Sequence, residues 1–174
     1  MGGLVAYTAA SLLGDRLAGV QLVDSPILES TREETAARQH RAFGPLRVYQ
    51  DRETALSRFH LIPEQDATLP YVLGHIAATS LREVEGGWSW KFDPAVFAHE
   101  RSDLASVARV ACRVAFFYAQ RGLVAPELVR KLPALLGPDA LVAEIPMASH
   151  HVMIDQPLAL VRAIRSALAS WDCG

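Results

Sequence analysis

Two adjacent histidines, His150 and His151, and three aspartates are the side chains of this 174-residue sequence best suited to acid–base chemistry. An imidazole that titrates near neutral pH can take a proton from a nucleophile and return it to a leaving group, and a carboxylate behind it fixes its tautomer. The candidate carboxylates are Asp24, Asp93 and Asp155. A pair of histidines in a loop is by itself more often a solvent-exposed feature than a catalytic one. The elements that position these residues therefore decide the interpretation.

The apolar pattern predicts an α/β fold. A Gly- and Ala-rich helix over 2–14 precedes an apolar run at 17–23, which is typical of a buried parallel strand and ends just before Asp24. The other predicted elements of this body are strands at 113–118 and 141–145 and helices at 126–136 and 157–171. Strands that alternate with helices indicate a parallel sheet, and ligands bind at the carboxyl ends of such strands. We expect Asp24 and the His150 loop at that edge.

The segment from Glu29 to about Glu85 differs in character. It is charged and helix-forming, it lacks strand-like alternation, and prolines and glycines interrupt it. We interpret it as several short helices inserted between strands, forming a lid.

Composition excludes several classes of function. With 51% hydrophobic residues and a net charge of −2, the chain is typical of one soluble globular domain. Its 17 basic residues are scattered among 19 acidic ones, which argues against nucleic acid as a partner. Apolar runs are too short for a membrane span. Cys112 and Cys173 lack the spacing of a zinc site or disulfide framework, which favours reduced thiols in a cytoplasmic protein.

Residues 149–157 (SHHVMIDQP) and the first residues (MGGLV) resemble the α/β-hydrolase family. The family commonly shows an acidic residue five positions after its histidine and a proline seven positions after it, which match His150, Asp155 and Pro157. The first residues resemble the second half of the nucleophile elbow Gly-x-Ser-x-Gly, as in Gly-His-Ser-Met-Gly-Gly. The resemblance implies that His150 is the catalytic base. It also implies that Met1 supplies a backbone N–H to the oxyanion hole and that the nucleophile is absent from this chain.

The acid departs from the commoner family pattern. Most members carry it after the penultimate strand, but residues 118–126 (YAQRGLVAP) contain no carboxylate. A minority place it one strand earlier, about 24 residues after the nucleophile, which corresponds to Asp24. We expect the Asp24 carboxylate within about 2.6–3.2 Å of the His150 ring. The alternatives are that Asp24 only forms a turn, that Asp93 is a rival acid or a turn residue, and that Asp155 caps the final helix.

The resemblance implies the C-terminal part of an α/β-hydrolase fold, with parallel strands flanked by helices and an inserted helical lid. Residues 1–28 would form the post-nucleophile helix and strand, 29–85 the lid, and 86–174 the C-terminal core with the His loop. The implied reaction is hydrolysis of a small-molecule ester or related carbonyl compound by a Ser-Asp-His triad, with no metal or organic cofactor. Without a nucleophile, this chain is expected to be inactive alone.

Two other functions stay open. The chain could be a non-catalytic protein that associates with itself or a partner through an exposed sheet edge. It could also resemble epoxide hydrolases or dehalogenases, with a lid tyrosine over the substrate, although Met after the nucleophile favours a serine hydrolase. The lid aromatic residues, which would line an acyl or alcohol pocket or else form core, are Phe43, Tyr49, Phe59, Tyr71 and Trp88.

Overall fold

The computed structural model describes residues 2–27, 46–65, 69–93 and 110–172. The chain divides into two compact units, one formed by Met1–Glu29 with Ser102–Gly174 and the other by Ser30–Arg101. Met1, Phe43 and Cys173, which the sequence analysis singled out, lie outside the described residues.

The first unit alternates helices and strands. Helix α1 (Gly2–Leu13) continues into a 3₁₀ turn (Gly14–Arg16) and leads to strand β1 (Gly19–Val23). The elements after the second unit are β4 (Arg113–Arg121), α4 (Pro126–Leu136), β5 (Leu141–Ser149), α5 (Val152–Asp155) and α6 (Pro157–Asp172). Pro at the first position of α4 fits a site where its missing N–H would be unpaired anyway.

Strands β1, β4 and β5 form a parallel sheet in the order β1-β4-β5. Val23 of β1 lies opposite Phe117 of β4, and Ala119 of β4 lies opposite Ile145 of β5. Since all three strands run in the same direction, the residues that follow them meet at one edge. The predicted parallel sheet is confirmed, and its carboxyl edge carries the loops that contain Asp24 and His150.

The two faces of this sheet bury separate cores. Phe116 and Phe117 of β4 point to opposite faces and are both fully buried. Phe116 belongs to a cluster with residues of α1 and α4, and Phe117 to a cluster with residues of α6. Burial of each phenylalanine contributes about 1.5–3 kcal/mol to the stability of the fold. This packing holds the strands in place at the carboxyl edge of the sheet.

Strand β5 extends to Ser149, four residues beyond the predicted strand 141–145. The added residues include Pro146, which cannot donate a hydrogen bond to the ladder. The structure tolerates Pro146 because, among the described strands, β5 pairs only with β4. His150 therefore follows the strand directly, and the short helix α5, which was not predicted, separates it from α6.

The second unit contains helices α2 (Arg52–Ser57) and α3 (Pro70–Thr79) and an antiparallel hairpin of β2 (Leu81–Val84) and β3 (Gly87–Trp90). The expectation that 29–85 holds helices without strands was wrong for β2. Its four residues are too few for an alternating pattern to emerge, and Gly86, with φ of +84°, makes the turn that pairs it with β3. The boundary expected between 85 and 86 falls within that turn.

Two of the predicted lid aromatic residues pack on the ring of Trp90. Tyr49 and Phe59 contact Trp90, with ring centroids 6.3 and 5.6 Å apart. Arg52 lies 5.9 Å over the Trp88 ring, whereas Tyr71 is 74% exposed. These contacts give Tyr49 and Phe59 a packing role within the second unit. No helix in the described parts of the chain has both the length and the apolar character to cross a membrane.

Candidate active site

Asp24 directly follows β1 and turns the chain sharply. Its φ of +40° lies in the left-handed region, which Asp tolerates better than most residues. Its N–H donates to the Phe117 carbonyl oxygen at 2.7 Å, which extends the ladder between β1 and β4 by one bond. Strand β1 ends at this point, and its backbone turns away from β4. The side chain of Asp24 instead contacts β4, through the Ala119 N–H.

The Asp24 carboxylate is fully buried and accepts three hydrogen bonds. The Ala119 N–H donates to Oδ1 at 3.0 Å, and the Leu123 N–H donates to Oδ2 at 2.9 Å. The His150 ring nitrogen Nδ1 lies 2.8 Å from Oδ2, within the predicted range. These three hydrogen bonds compensate the desolvation cost of burying a charged carboxylate. Without such partners, a buried carboxyl group would be neutral.

These contacts also control the ionisation of Asp24. Burial raises the pKa of this carboxyl group, but the hydrogen bonds from His150, Leu123 and Ala119 together outweigh burial. The pKa of Asp24 therefore lies below its ordinary value, and the group is ionised at neutral pH. Because an ionised carboxylate only accepts hydrogen bonds, Nδ1 of His150 must carry the proton in this contact.

Gly122 gives the Asp24 carboxylate its room. A Cβ atom at position 122 would lie 2.3 Å from both Asp24 oxygens, closer than any real contact. Residues 118–126 contain no carboxylate of their own. Their backbone instead surrounds the carboxylate of Asp24, the residue that follows β1. The site thus needs glycine at 122 for space rather than for an unusual φ.

The contact with Asp24 fixes the tautomer of His150. Its side chain is 26% exposed, whereas that of Asp24 is fully buried. With Nδ1–H directed at Asp24, Nε2 is the unprotonated nitrogen of a neutral ring and can act as a base. The His151 ring packs edge-on against that of His150, with centroids 4.9 Å apart. His151 also precedes α5 as its N-terminal cap residue.

Asp155 has a different contact from the one expected. It ends α5, and its Oδ2 accepts a hydrogen bond from the Ser149 N–H at 2.8 Å. The expected capping of the final helix was therefore the wrong interpretation of this contact, because α5 places the carboxylate back over the end of β5. Asp155 ties the residue before His150 to the helix after it. Asp93 is an exposed residue of the second unit.

The amino end of α1 lies beside the same edge of the sheet. A Cβ atom on Gly3 would lie 1.9 Å from the Ser25 Oγ and 2.5 Å from the Ser25 Cβ. Gly3 therefore packs directly against the residue that follows Asp24. The start of α1, Asp24 and His150 converge on one edge although they are far apart in sequence.

Sequence reasoning singled out His150 and Asp24, which the structure brings together, but it missed the backbone donors of Ala119 and Leu123. The signal available was Gly122 within a segment that lacks a carboxylate where the resemblance would place one. Within 2–27, 46–65, 69–93 and 110–172, there is no group of three or more His, Cys, Asp or Glu side chains that could hold a metal ion.

Comparison with known proteins identifies the fold. No protein-family model and no curated protein matches the sequence. Among solved structures, the chain is similar to E-2-(acetamidomethylene)succinate hydrolase, with a TM-score of 0.77, 24% identity, and coverage of 96% of this chain and 64% of that one. It is also similar to an esterase of Mycobacterium tuberculosis, with a TM-score of 0.73 and 18% identity over 96% of this chain and 59% of that one.

A third similar structure is an esterase from a marine microorganism, with a TM-score of 0.66 and 14% identity over 94% of this chain and 66% of that one. The chain spans less than two-thirds of the length of each of the three structures. These likenesses, together with the parallel sheet flanked by helices, show that the chain has the α/β-hydrolase fold.

Proposed function

We propose that this chain supplies the acid and the base of a serine hydrolase that cleaves a small-molecule ester or a related carbonyl compound. The observation that carries the proposal is the 2.8 Å contact between the His150 Nδ1 and the buried Asp24 carboxylate. It lies at the carboxyl edge of a parallel sheet, where α/β folds bind their ligands. Asp24 holds the tautomer, and His150 exchanges a proton through Nε2.

The nucleophile in this proposal is a serine just ahead of α1, in a longer protein. The support is the packing of Gly3 on Ser25, which sets the start of α1 beside Asp24. His150 would take the proton of the serine hydroxyl as its oxygen attacks the carbonyl carbon, and would return that proton to the alcohol that leaves. The backbone N–H of Met1 would stabilise the oxyanion, and water would then release the acid and regenerate the serine.

The substrate class is the least specific part of the proposal. Two of the similar structures are esterases by name, and the third is a hydrolase of a different substrate. We assign the unit of residues 1–29 and 102–174 to the hydrolase core and the unit of residues 30–101 to a lid.

The proposal is tested with the longer protein, read from the DNA upstream of the Met1 codon and assayed on p-nitrophenyl acyl esters. His150→Ala should lower kcat by about 10⁶-fold, since loss of the base disables the whole triad. His75→Ala should retain most of the activity, because His75 is an exposed residue of the second unit. Equal rates for the unmodified and His150→Ala proteins would contradict the proposal.

A second candidate function is association without catalysis, and the exposed apolar side chains of two helices favour it. Leu12 of α1 and Leu158 of α6 are 76% and 77% exposed, and β1 pairs with β4 alone among the described strands. Helices and a strand with such faces can bind another chain or a second copy of this one. The two candidate functions differ in the effect expected of His150→Ala. This substitution would lower kcat in a hydrolase but would leave association unchanged.

A further inference from the structure

Met147 adopts a backbone conformation that its side chain disfavours. Its φ is +56°, in the left-handed region, and it lies three residues before His150 within β5. A long side chain keeps such a conformation only where its surroundings impose it. The structure around Met147 must therefore contain contacts that fix its backbone.

Two consecutive residues of β4 provide these contacts. The side-chain oxygen Oε1 of Gln120 accepts a hydrogen bond from the Met147 N–H at 2.8 Å. The guanidinium of Arg121 donates to the Met147 carbonyl oxygen. Both polar backbone groups of Met147 are thus held by side chains of the neighbouring strand.

The register of the sheet explains why side chains take this role. Ala119 pairs with Ile145, but the next pair in the ladder is Arg121 with Ser149, so β5 has extra residues between the two pairs. These residues bulge away from regular pairing, which leaves backbone groups that the ladder does not bond. Gln120 and Arg121 bridge this gap with side-chain hydrogen bonds.

The same short stretch of β4 and its following loop holds the acid. Ala119 and Leu123 donate their backbone N–H groups to Asp24, on either side of Gln120 and Arg121. Residues 119–123 therefore hold Asp24 through the backbone and the chain leading to His150 through side chains. We propose that Gln120 and Arg121 are positioning residues, which fix the bulge at Met147 and thereby set the His150 ring against Asp24.

This inference rests on the proposed function, because it assigns a purpose to the contact between His150 and Asp24. It is tested on the 174-residue chain by NMR, through the His150 Nδ1–H proton. A proton held between imidazole and carboxylate resonates far downfield, and its exchange with water reports how often the contact opens. Gln120 and Arg121 are exposed, so their substitution spares the core.

In Gln120→Ala and Arg121→Ala, exchange of the His150 Nδ1–H proton should accelerate about tenfold, the effect of losing one hydrogen bond. Gln120→Glu, which keeps an acceptor oxygen, should restore slow exchange. The matched control is Arg130→Ala on α4, whose arginine makes a surface contact with Glu127 and should leave exchange unchanged.

Met147→Gly separates positioning from general stability. Glycine adopts a positive φ without strain, so in this background Gln120→Ala should accelerate exchange much less than it does in the unmodified chain. Unchanged exchange in both single variants, with the downfield proton present in the unmodified chain, would overturn the role of Gln120 and Arg121 alone. Absence of that proton from the unmodified chain would contradict the proposed function itself.

Discussion

At the scale of single residues, three hydrogen bonds constrain the buried Asp24 carboxylate. Each of its oxygens accepts from a backbone N–H, and Oδ2 also accepts from His150. An asparagine could not satisfy both backbone donors, because its NH₂ group would face one of them in either orientation. The site is therefore specific for a carboxylate and not merely for a polar side chain.

Asp24 should make the stability of the chain depend on pH. Its folded-state pKa is lowered, so its contribution to stability is complete above its ordinary pKa of about 3.9 and is lost as the pH falls through the folded-state value. Urea unfolding of the unmodified chain and of Asp24→Asn should differ most near neutral pH and converge below about pH 4. A difference that stays constant down to acid pH would contradict this account of Asp24.

Gly122→Ala should displace the Asp24 carboxylate. The new methyl group would lie 2.3 Å from both carboxylate oxygens, so the free energy of unfolding should fall by about 1–3 kcal/mol. Gly74→Ala is the matched control, since Gly74 lies within α3 and a Cβ there meets nothing within 4 Å. That control should be neutral or stabilising by up to about 1 kcal/mol. Equal unfolding midpoints for the two variants would show that space at Gly122 is unimportant.

The residue types at the site were predictable only where a spacing constrained them. The interval from His150 to Pro157 and the position of Asp24 after a strand match patterns of the α/β-hydrolase family, and that resemblance pointed to these residues. The donors from Ala119 and Leu123 are backbone groups, which every residue carries, so no residue type marks them. The left-handed conformation of Met147 was equally hidden, because methionine is not a residue that favours it.

At the scale of elements, the approach of α1 to the end of β1 sets the geometry of the edge. Gly3 contacts Ser25 so closely that no side chain fits between them, whereas a Cβ on the neighbouring Gly2 would meet nothing within 4 Å. The two adjacent glycines thus differ sharply in what they require, although the sequence presents them as equivalent.

Gly3→Ala should push α1 away from β1. We expect a loss of about 1–3 kcal/mol in the free energy of unfolding, the usual cost of overpacking. Gly2→Ala should cost nothing, and Ser25→Gly should recover part of the loss in Gly3→Ala by removing the opposing side chain. Thermal unfolding of the four proteins measures this. A Gly3→Ala chain as stable as Gly2→Ala would rule out close packing at this contact.

The elements were predicted best where helices and strands alternate with clear boundaries. Pro126 and Gly137 bracket α4, and its predicted range 126–136 matches the structure. The carboxyl ends of β4 and β5 extend further than predicted, because pairing between strands overrides Pro146 and polar residues such as Gln120. Tertiary pairing of this kind leaves no local pattern in the sequence.

At the scale of the whole molecule, the two helix faces with exposed apolar residues should control association. Val5 and Leu12 of α1 are 60% and 76% exposed, and Leu158 and Val161 of α6 are 77% and 50% exposed. On size-exclusion chromatography we expect the chain to elute as a species larger than its 19.0 kDa monomer. Combined Leu12→Lys and Leu158→Lys substitution should shift it toward the monomer.

The control for this experiment is Leu135→Lys on α4, which changes an exposed leucine on another helix. It should leave the elution volume unchanged. A monodisperse monomer for the unmodified chain would contradict the expectation that these faces bind another chain.

The central proposal is that Asp24 and His150 are the acid and base of an ester hydrolase, and its most direct test is kcat for p-nitrophenyl ester hydrolysis by the longer protein of that proposal. Asp24→Asn should lower kcat by about 10⁴-fold, because the imidazole then loses its correct tautomer. Asp93→Asn, which changes an exposed aspartate of the second unit, should cost far less. Near-normal kcat in Asp24→Asn, or an equal loss in Asp93→Asn, would contradict the claim.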